Sequence, residues 1–138
     1  MQHDYQSDLE KVLFIFSLSI KHENFTIKDI QRLVIPPLKL NQYRIYVDEE
    51  VPVCYASWAM LPEEAEEGYK NKTRKIQPHD WNSGDNLWLI DVICPFGGTR
   101  IAIKRLDNLR KELGLPNRVN FHRSKRLGSN KVNNVKRI

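Results

Sequence analysis

Apolar residues recur at helical spacing through the N-terminal stretch, where Val12, Leu13, Phe16 and Ile20 follow Ser7 and Glu10, which stand three apart as in a capping box. This pattern predicts a first helix over 7–19. Ile27, Ile30, Leu33 and Val34 repeat the period after Thr26 and predict a short second helix. Pro36-Pro37 is expected to end it, because proline lacks an N–H and restricts the residue before it. The segment between the two helices, Lys21-His22-Glu23-Asn24-Phe25, reads as a loop. Residues 43–47 and 51–59 are rich in β-branched and aromatic side chains and flank Asp48-Glu49-Glu50, which predicts a hairpin whose second strand Pro52 leaves incompletely paired.

Leu61-Pro62-Glu63-Glu64 opens a further helix, with proline near the first turn and acids facing the positive end of the helix dipole. Asn82-Ser83-Gly84-Asp85, between Trp81 and Trp88, marks a turn. The run Leu87 to Cys94 is almost continuously apolar and predicts a central strand covered on both faces, interrupted by one charge, Asp91. Pro95-Phe96-Gly97-Gly98 leaves that strand, Thr99 is placed to cap the next helix, and Ala102, Leu106, Leu109 and Leu113 give that helix its apolar stripe before Gly114 and Pro116. Arg118 to Phe121 is read as a last strand. The fold class is therefore α/β, as one domain over 1–121, with residues 122–138 as a basic tail expected to be mobile.

Charge changes this picture more than overall composition does. Residues 100–138 hold 12 Lys/Arg against Asp107 and Glu112, a balance of +10, whereas residues 1–99 hold 10 Lys/Arg against 15 Asp/Glu, a balance of −5. A basic C-terminal part attracts acidic partners, and nucleic acid, anionic lipid and acidic carrier proteins all qualify. The tail lacks the interleaved aromatics that stack on bases, so nucleic acid is not expected. The first residues carry no basic n-region and the apolar run 12–16 is too short to span a bilayer, so neither an export signal nor a spanning segment is expected. Cys54 and Cys94 have no CxxC spacing, so they read as buried free thiols in a reducing cytoplasm, with no metal site.

Asp91 carries the most chemical information, because a carboxylate in a buried strand is costly unless paired, hydrogen-bonded or protonated. Two readings stand side by side: a structural carboxylate held by backbone N–H groups or by an arginine such as Arg118, and a catalytic one. His22 likewise is either a solvated loop histidine or a working base. If the two meet, a carboxylate on one imidazole nitrogen fixes the tautomer and raises the basicity of the other. Phe96, Gly97 and Gly98, before a helix, can offer backbone N–H groups to an anion or an oxyanion, although such glycine pairs are more often tight turns.

Taken together, Asn41-Gln42-Tyr43, Tyr55-Ala56-Ser57-Trp58-Ala59, Asp80-Trp81-Asn82-Ser83-Gly84-Asp85 with Trp88, and Ile90-Asp91 followed by Pro95-Phe96-Gly97 resemble the RTX toxin-activating lysine acyltransferases. His22, with Asn24 and Phe25 after it, falls where that family has its essential histidine. The resemblance runs from about Ser17 to Phe121 and departs after Leu113, where the chain is more basic. It implies a fold similar to the GNAT acetyltransferases, with a mixed, mostly antiparallel sheet flanked by helices. It also implies acyl carrier protein as donor and co-substrate with no bound cofactor, internal lysines of an RTX-type protoxin as acceptors, and a cytoplasmic location. His22 and Asp91 become the catalytic pair, Ser19 a lesser candidate, and Gly84 a residue that shapes the site. Arg100, Lys104, Arg105 and Lys111 become the dock for the acidic carrier, and a homodimer is left open. Two rivals accompany this reading: a GNAT-like transferase using acyl-coenzyme A on another substrate, and a non-enzymatic basic binding module.

Overall fold

The structure, a computed structural model, describes residues 5–122 and the backbone of residues 135–137. Its elements in order are α1 (Tyr5–Ser17), a 3₁₀ turn (Ile20–His22), α2 (Ile27–Leu33), α3 (Ile35–Leu40), β1 (Tyr43–Asp48), β2 (Val51–Leu61), α4 (Glu63–Asn71), a second 3₁₀ turn (Pro78–Asp80), β3 (Asn86–Ile93), α5 (Thr99–Glu112), β4 (Asn120–His122) and β5 (Val135–Arg137). The strands form one sheet in the order β1-β2-β3-β4-β5. Every neighbouring pair is antiparallel except β3-β4, which is parallel and therefore needs a crossover, supplied by α5. The expected α/β architecture, a mixed and mostly antiparallel sheet with flanking helices, is present.

The two faces of the sheet carry different cores. On one, Val12, Ile15 and Phe16 of α1 pack with Tyr43, Tyr55 and Ile93, and Ala65 of α4 packs with Ala59, Leu61, Trp81 and Trp88. On the other, Leu106 of α5 packs with Ala56, Trp58, Leu87 and Leu89. Most of the motif residues beyond the histidine and aspartate serve this scaffold. Gln42 is buried and its Nε2 donates to the carbonyls of Trp58 and Trp81, while the Trp81 indole donates to the Arg32 carbonyl and the Trp88 indole to Glu66. Asp80 accepts from the Gln77 N–H and pairs with Arg74, which ties the second 3₁₀ turn to the end of α4.

Several expectations are corrected by the structure. The Pro36-Pro37 pair does not simply end a helix, since it lies in the first turn of α3, where the missing N–H groups have no intrahelical partner to lose. α1 begins at Tyr5, so Ser7 lies inside its first turn and the capping box is not the start. Gly98, at φ +88, caps α5, and Thr99 is its first helical residue. The sheet also extends past the expected boundary: His122 belongs to β4, and residues 135–137 pair with it as β5. The expectation of a mobile tail otherwise falls on 123–134 and 138, outside the described residues. Pro52 does sit at an irregularity of the hairpin, opposite Val47 where the β1-β2 register shifts.

Candidate active site

The site is built where α1 runs out. Its last buried residue, Phe16, faces the core, and the chain then makes one 3₁₀ turn over Ile20–His22 with Ser19 as its N-cap. A 3₁₀ turn stacks residues three apart above each other. That spacing brings the Ser19 hydroxyl to 2.6 Å from His22 Nδ1, and the His22 N–H donates to the Ser19 carbonyl at 3.1 Å. The segment expected to be a plain loop is thus a short turn with a definite side-chain register. The imidazole stacks on the Phe16 ring, with centroids 4.7 Å apart and planes at 19°, and meets the edge of Phe25 at 4.8 Å. Phe16 covers one face of the ring, Phe25 meets it edge to face, and both nitrogens are engaged.

The second nitrogen, Nε2, lies 3.1 Å from Asp91 Oδ1, and the two side chains are 10% and 12% exposed. Asp91 is therefore held by His22 and not by backbone N–H groups or Arg118, the two structural partners that the sequence left open. Its direction is set by an irregularity in β3. Ser57 pairs with Asp91 but Trp58 pairs with Leu89, so Ile90 is an extra residue, a β-bulge. Leu87 and Leu89 face α5, whereas Trp88 and Ile90 pack with Trp81 and Ala59 on the opposite face. In a regular strand Asp91 would follow Leu89 toward α5. The bulge resets the alternation and turns Asp91 to the helical face where His22 waits.

A neutral His22 has one arrangement that satisfies all three groups. Nε2–H donates to the Asp91 carboxylate, and the Nδ1 lone pair accepts the Ser19 hydroxyl proton. The result is a hydroxyl–imidazole–carboxylate array, an arrangement that can relay a proton. Three expected residues, Ser19 and His22 from one turn and Asp91 from 69 positions away, thus converge on one point.

The other expected site residues lie apart from this group. Gly84 sits at the far end of β2, with its N–H on the Met60 carbonyl and its Cα against the Leu61–Pro62 backbone. Phe96, Gly97 and Gly98 form the exposed loop between β3 and α5, and the Gly97 N–H is already spent on the Cys94 carbonyl. Arg100, Lys104, Arg105 and Lys111 are exposed on α5, across the sheet from His22. Among them Arg105 lies over the Tyr46 ring at 5.3 Å, and Lys111 pairs with Asp107 at 3.5 Å. Cys54 and Cys94, distant in sequence, come side by side on the α5 face as free thiols, and burial together with Cys94 pushes the Cys54 thiol up to about 12. Among the described residues no group of His, Cys, Asp and Glu could hold a metal ion, and no helix is long and apolar enough to cross a membrane.

Tyr55 and Ser57 entered the sequence reading only as part of a motif, with no place at the site. Both are fully buried, and Ser57 is the direct strand partner of Asp91. The signal was the two-residue alternation of β2, which puts 55 and 57 on one face.

The model of the RTX toxin acyltransferase family matches residues 1–138. The chain belongs to that family. It is 35% identical over 98 residues to the RTX-II toxin-activating lysine-acyltransferase of Actinobacillus pleuropneumoniae, covering 71% of this chain and 61% of that one. It is 34% identical over 106 residues to a protein-lysine myristoyltransferase of Kingella kingae, covering 77% and 64%. Its identity to a protein-lysine myristoyltransferase of Escherichia coli is 37% over 89 residues, covering 64% and 52%. The matched part spans less than two thirds of each of these relatives.

Proposed function

We propose that this member of the RTX toxin acyltransferase family is a protein-lysine acyltransferase that moves a fatty acyl group from acyl carrier protein to internal lysine ε-amines of an RTX-type protoxin. The observation that carries the reading is His22 fixed between Ser19 and Asp91. A lysine ammonium has a pKa near ~10.4, so only a very small fraction is nucleophilic at neutral pH without a base. In the proposed step the ammonium proton passes through the Ser19 hydroxyl to His22 Nδ1, and Asp91 stabilises the imidazolium. The amine attacks the thioester carbonyl, a C–N bond forms, and the C–S bond breaks as the carrier thiolate leaves with the proton from His22. The second N–H proton of the adduct goes to solvent.

The donor side of the proposal rests on the β3-α5-β4 unit. Anionic and acyl-phosphopantetheine groups are suited to the carboxyl end of a parallel strand and the start of the following helix, here Phe96 to Gly98 and Arg100. The antiparallel β1-β2-β3 run that ends on this parallel unit is also what supports a GNAT-like fold. The oxyanion would be held by backbone N–H groups of the same loop other than that of Gly97, and a carrier-borne donor implies a cytoplasmic reaction. The exposed cations of α5 then attract the acidic carrier from the face opposite His22. Reversing Arg100 and Lys104 to glutamate is expected to raise the KM for acyl carrier donor about tenfold at low salt and much less at high salt. Rates with a small carrier-free thioester should not change, and equal loss with both donors would remove the dock.

Ser19→Ala separates relay from nucleophile. A relay predicts a loss of about tenfold in kcat, with no acyl-enzyme detectable by intact mass when toxin is withheld. An acyl mass on Ser19 or His22 would replace direct transfer with a two-step route. The whole reading is tested by mass spectrometry of an RTX protoxin incubated with this chain and acyl-loaded carrier protein or acyl-coenzyme A. Acyl mass on toxin lysines from the carrier donor supports it. Acyl mass from coenzyme A alone favours the rival transferase, and none from any donor favours a binding module.

A further inference from the structure

Three buried polar atoms beside the histidine have no hydrogen-bond partner among the described residues: Asp91 Oδ2, the Tyr55 hydroxyl and the Ser57 hydroxyl. Their placement follows from the sheet. Ser57 lies opposite Asp91 across β2-β3, and Tyr55 is two residues earlier on the same face of β2. The Tyr55 hydroxyl lies close enough to that of Ser57 for a weak interaction that falls short of a well-formed hydrogen bond, and burial first, then the Asp91 charge, push the phenol far above its ordinary value. Both residues are completely buried, so bulk water cannot serve them, and an unsatisfied buried polar group costs free energy that a scaffold does not need to spend. Valine, alanine or phenylalanine would fill the same core without that cost. The inventory of donors and acceptors also matches: two hydroxyls can donate, and one carboxylate oxygen can accept two.

We propose that Tyr55 and Ser57 are positioning residues that hold Asp91 Oδ2, directly or through one bridging water, and so keep Oδ1 aimed at His22. They touch neither substrate nor donor. They act because a carboxylate tethered by one oxygen to a single imidazole can rotate about χ2, and rotation would cost the Nε2–H its acceptor and the ring its fixed tautomer. With the second oxygen held, the carboxylate plane is fixed before substrate arrives. This inference rests on the acyltransferase reading of the same site.

The test uses Tyr55→Phe and Ser57→Ala, which delete one hydroxyl each and leave shape almost intact. Both are expected to fold, with a Tm lowered by no more than a few degrees, since each leaves the other hydroxyl to serve Asp91 Oδ2. Each should lower kcat about tenfold with KM for toxin and donor changed by less than about twofold, and Ser57→Thr should restore most of the loss. The deciding measurement is a double-mutant cycle with Asp91→Asn. If the hydroxyls act through Asp91, Tyr55→Phe costs less than about twofold once Asp91 is gone. An equal cost in both backgrounds, or no cost in either, overturns the proposal while leaving the enzyme reading intact. Absence of transfer by the unsubstituted protein would instead count against that underlying reading.

Discussion

Replacing His22 by alanine is expected to lower transfer to toxin lysines by about 10²–10⁴-fold, the range that a positioned general base contributes. The imidazole supplies the lone pair at Nδ1 and, through Nε2–H, the link to Asp91, and the other histidines among the described residues lie elsewhere: His79 is beside Asp80. His122 meets Tyr69 edge to face and donates Nε2–H to the Tyr69 carbonyl, a different cluster, and burial pulls it below its ordinary range. Asp91→Asn should cost about 10²-fold or more, because the amide keeps the shape but no longer balances a charge on the ring. Single-turnover acylation of protoxin, followed by intact mass, measures both. The His22 ring also packs on Phe16 and Phe25, so thermal unfolding of each variant belongs beside the rates. Transfer that persists within tenfold without His22 would keep the acyltransferase and discard this mechanism.

The second large effect is one of stability. A Cβ on Gly84 would lie 2.3 Å from the Leu61 carbonyl oxygen and from Pro62 N, and 2.4 Å from the Leu61 carbonyl carbon. All three are backbone atoms, so no rotamer change relieves the clash. Backing away would also strain a knot of main-chain bonds, since the N–H groups of Ser83 and Gly84 both donate to the Met60 carbonyl and the Met60 N–H donates to the carbonyl of fully buried Trp81. Gly84→Ala is therefore expected to destabilise by about 3 kcal/mol, at the upper end for overpacking, and to lower Tm by roughly 10 °C. Gly98→Ala is the control: nothing lies within 4 Å of its Cβ position, and only its φ of +88 opposes a side chain, worth about 1 kcal/mol. If Gly84 shapes the site only by holding this junction, the variant's transfer rate per folded molecule, measured well below its Tm, stays within a few-fold. A Tm within about 2 °C of the starting protein would mean that the junction yields more readily than its contacts imply.

The chain by itself determined the main helices and strands and the chemical types. The 3.6-residue period of α1, the alternation of the hairpin strands and the apolar run of β3 are local patterns that burial on one face or two dictates, and they appear where the sequence places them. Asp91 announced itself by being charged in such a run, and the motif order pointed to the family. Tertiary structure decided what those residues do together. Whether Pro36-Pro37 ended a helix or began one depended on where the next element packs, which periodicity does not encode. The Ser19–His22 contact came from a 3₁₀ turn at the end of α1, and the 69-residue separation of His22 from Asp91 carries no information about distance. Above all, the side of the sheet on which Asp91 emerges was set by one extra residue, Ile90, in the β2-β3 register. Side-chain direction alternates every residue, so a single bulge is enough to move a carboxylate from one core to the other, and only the paired strand reveals it.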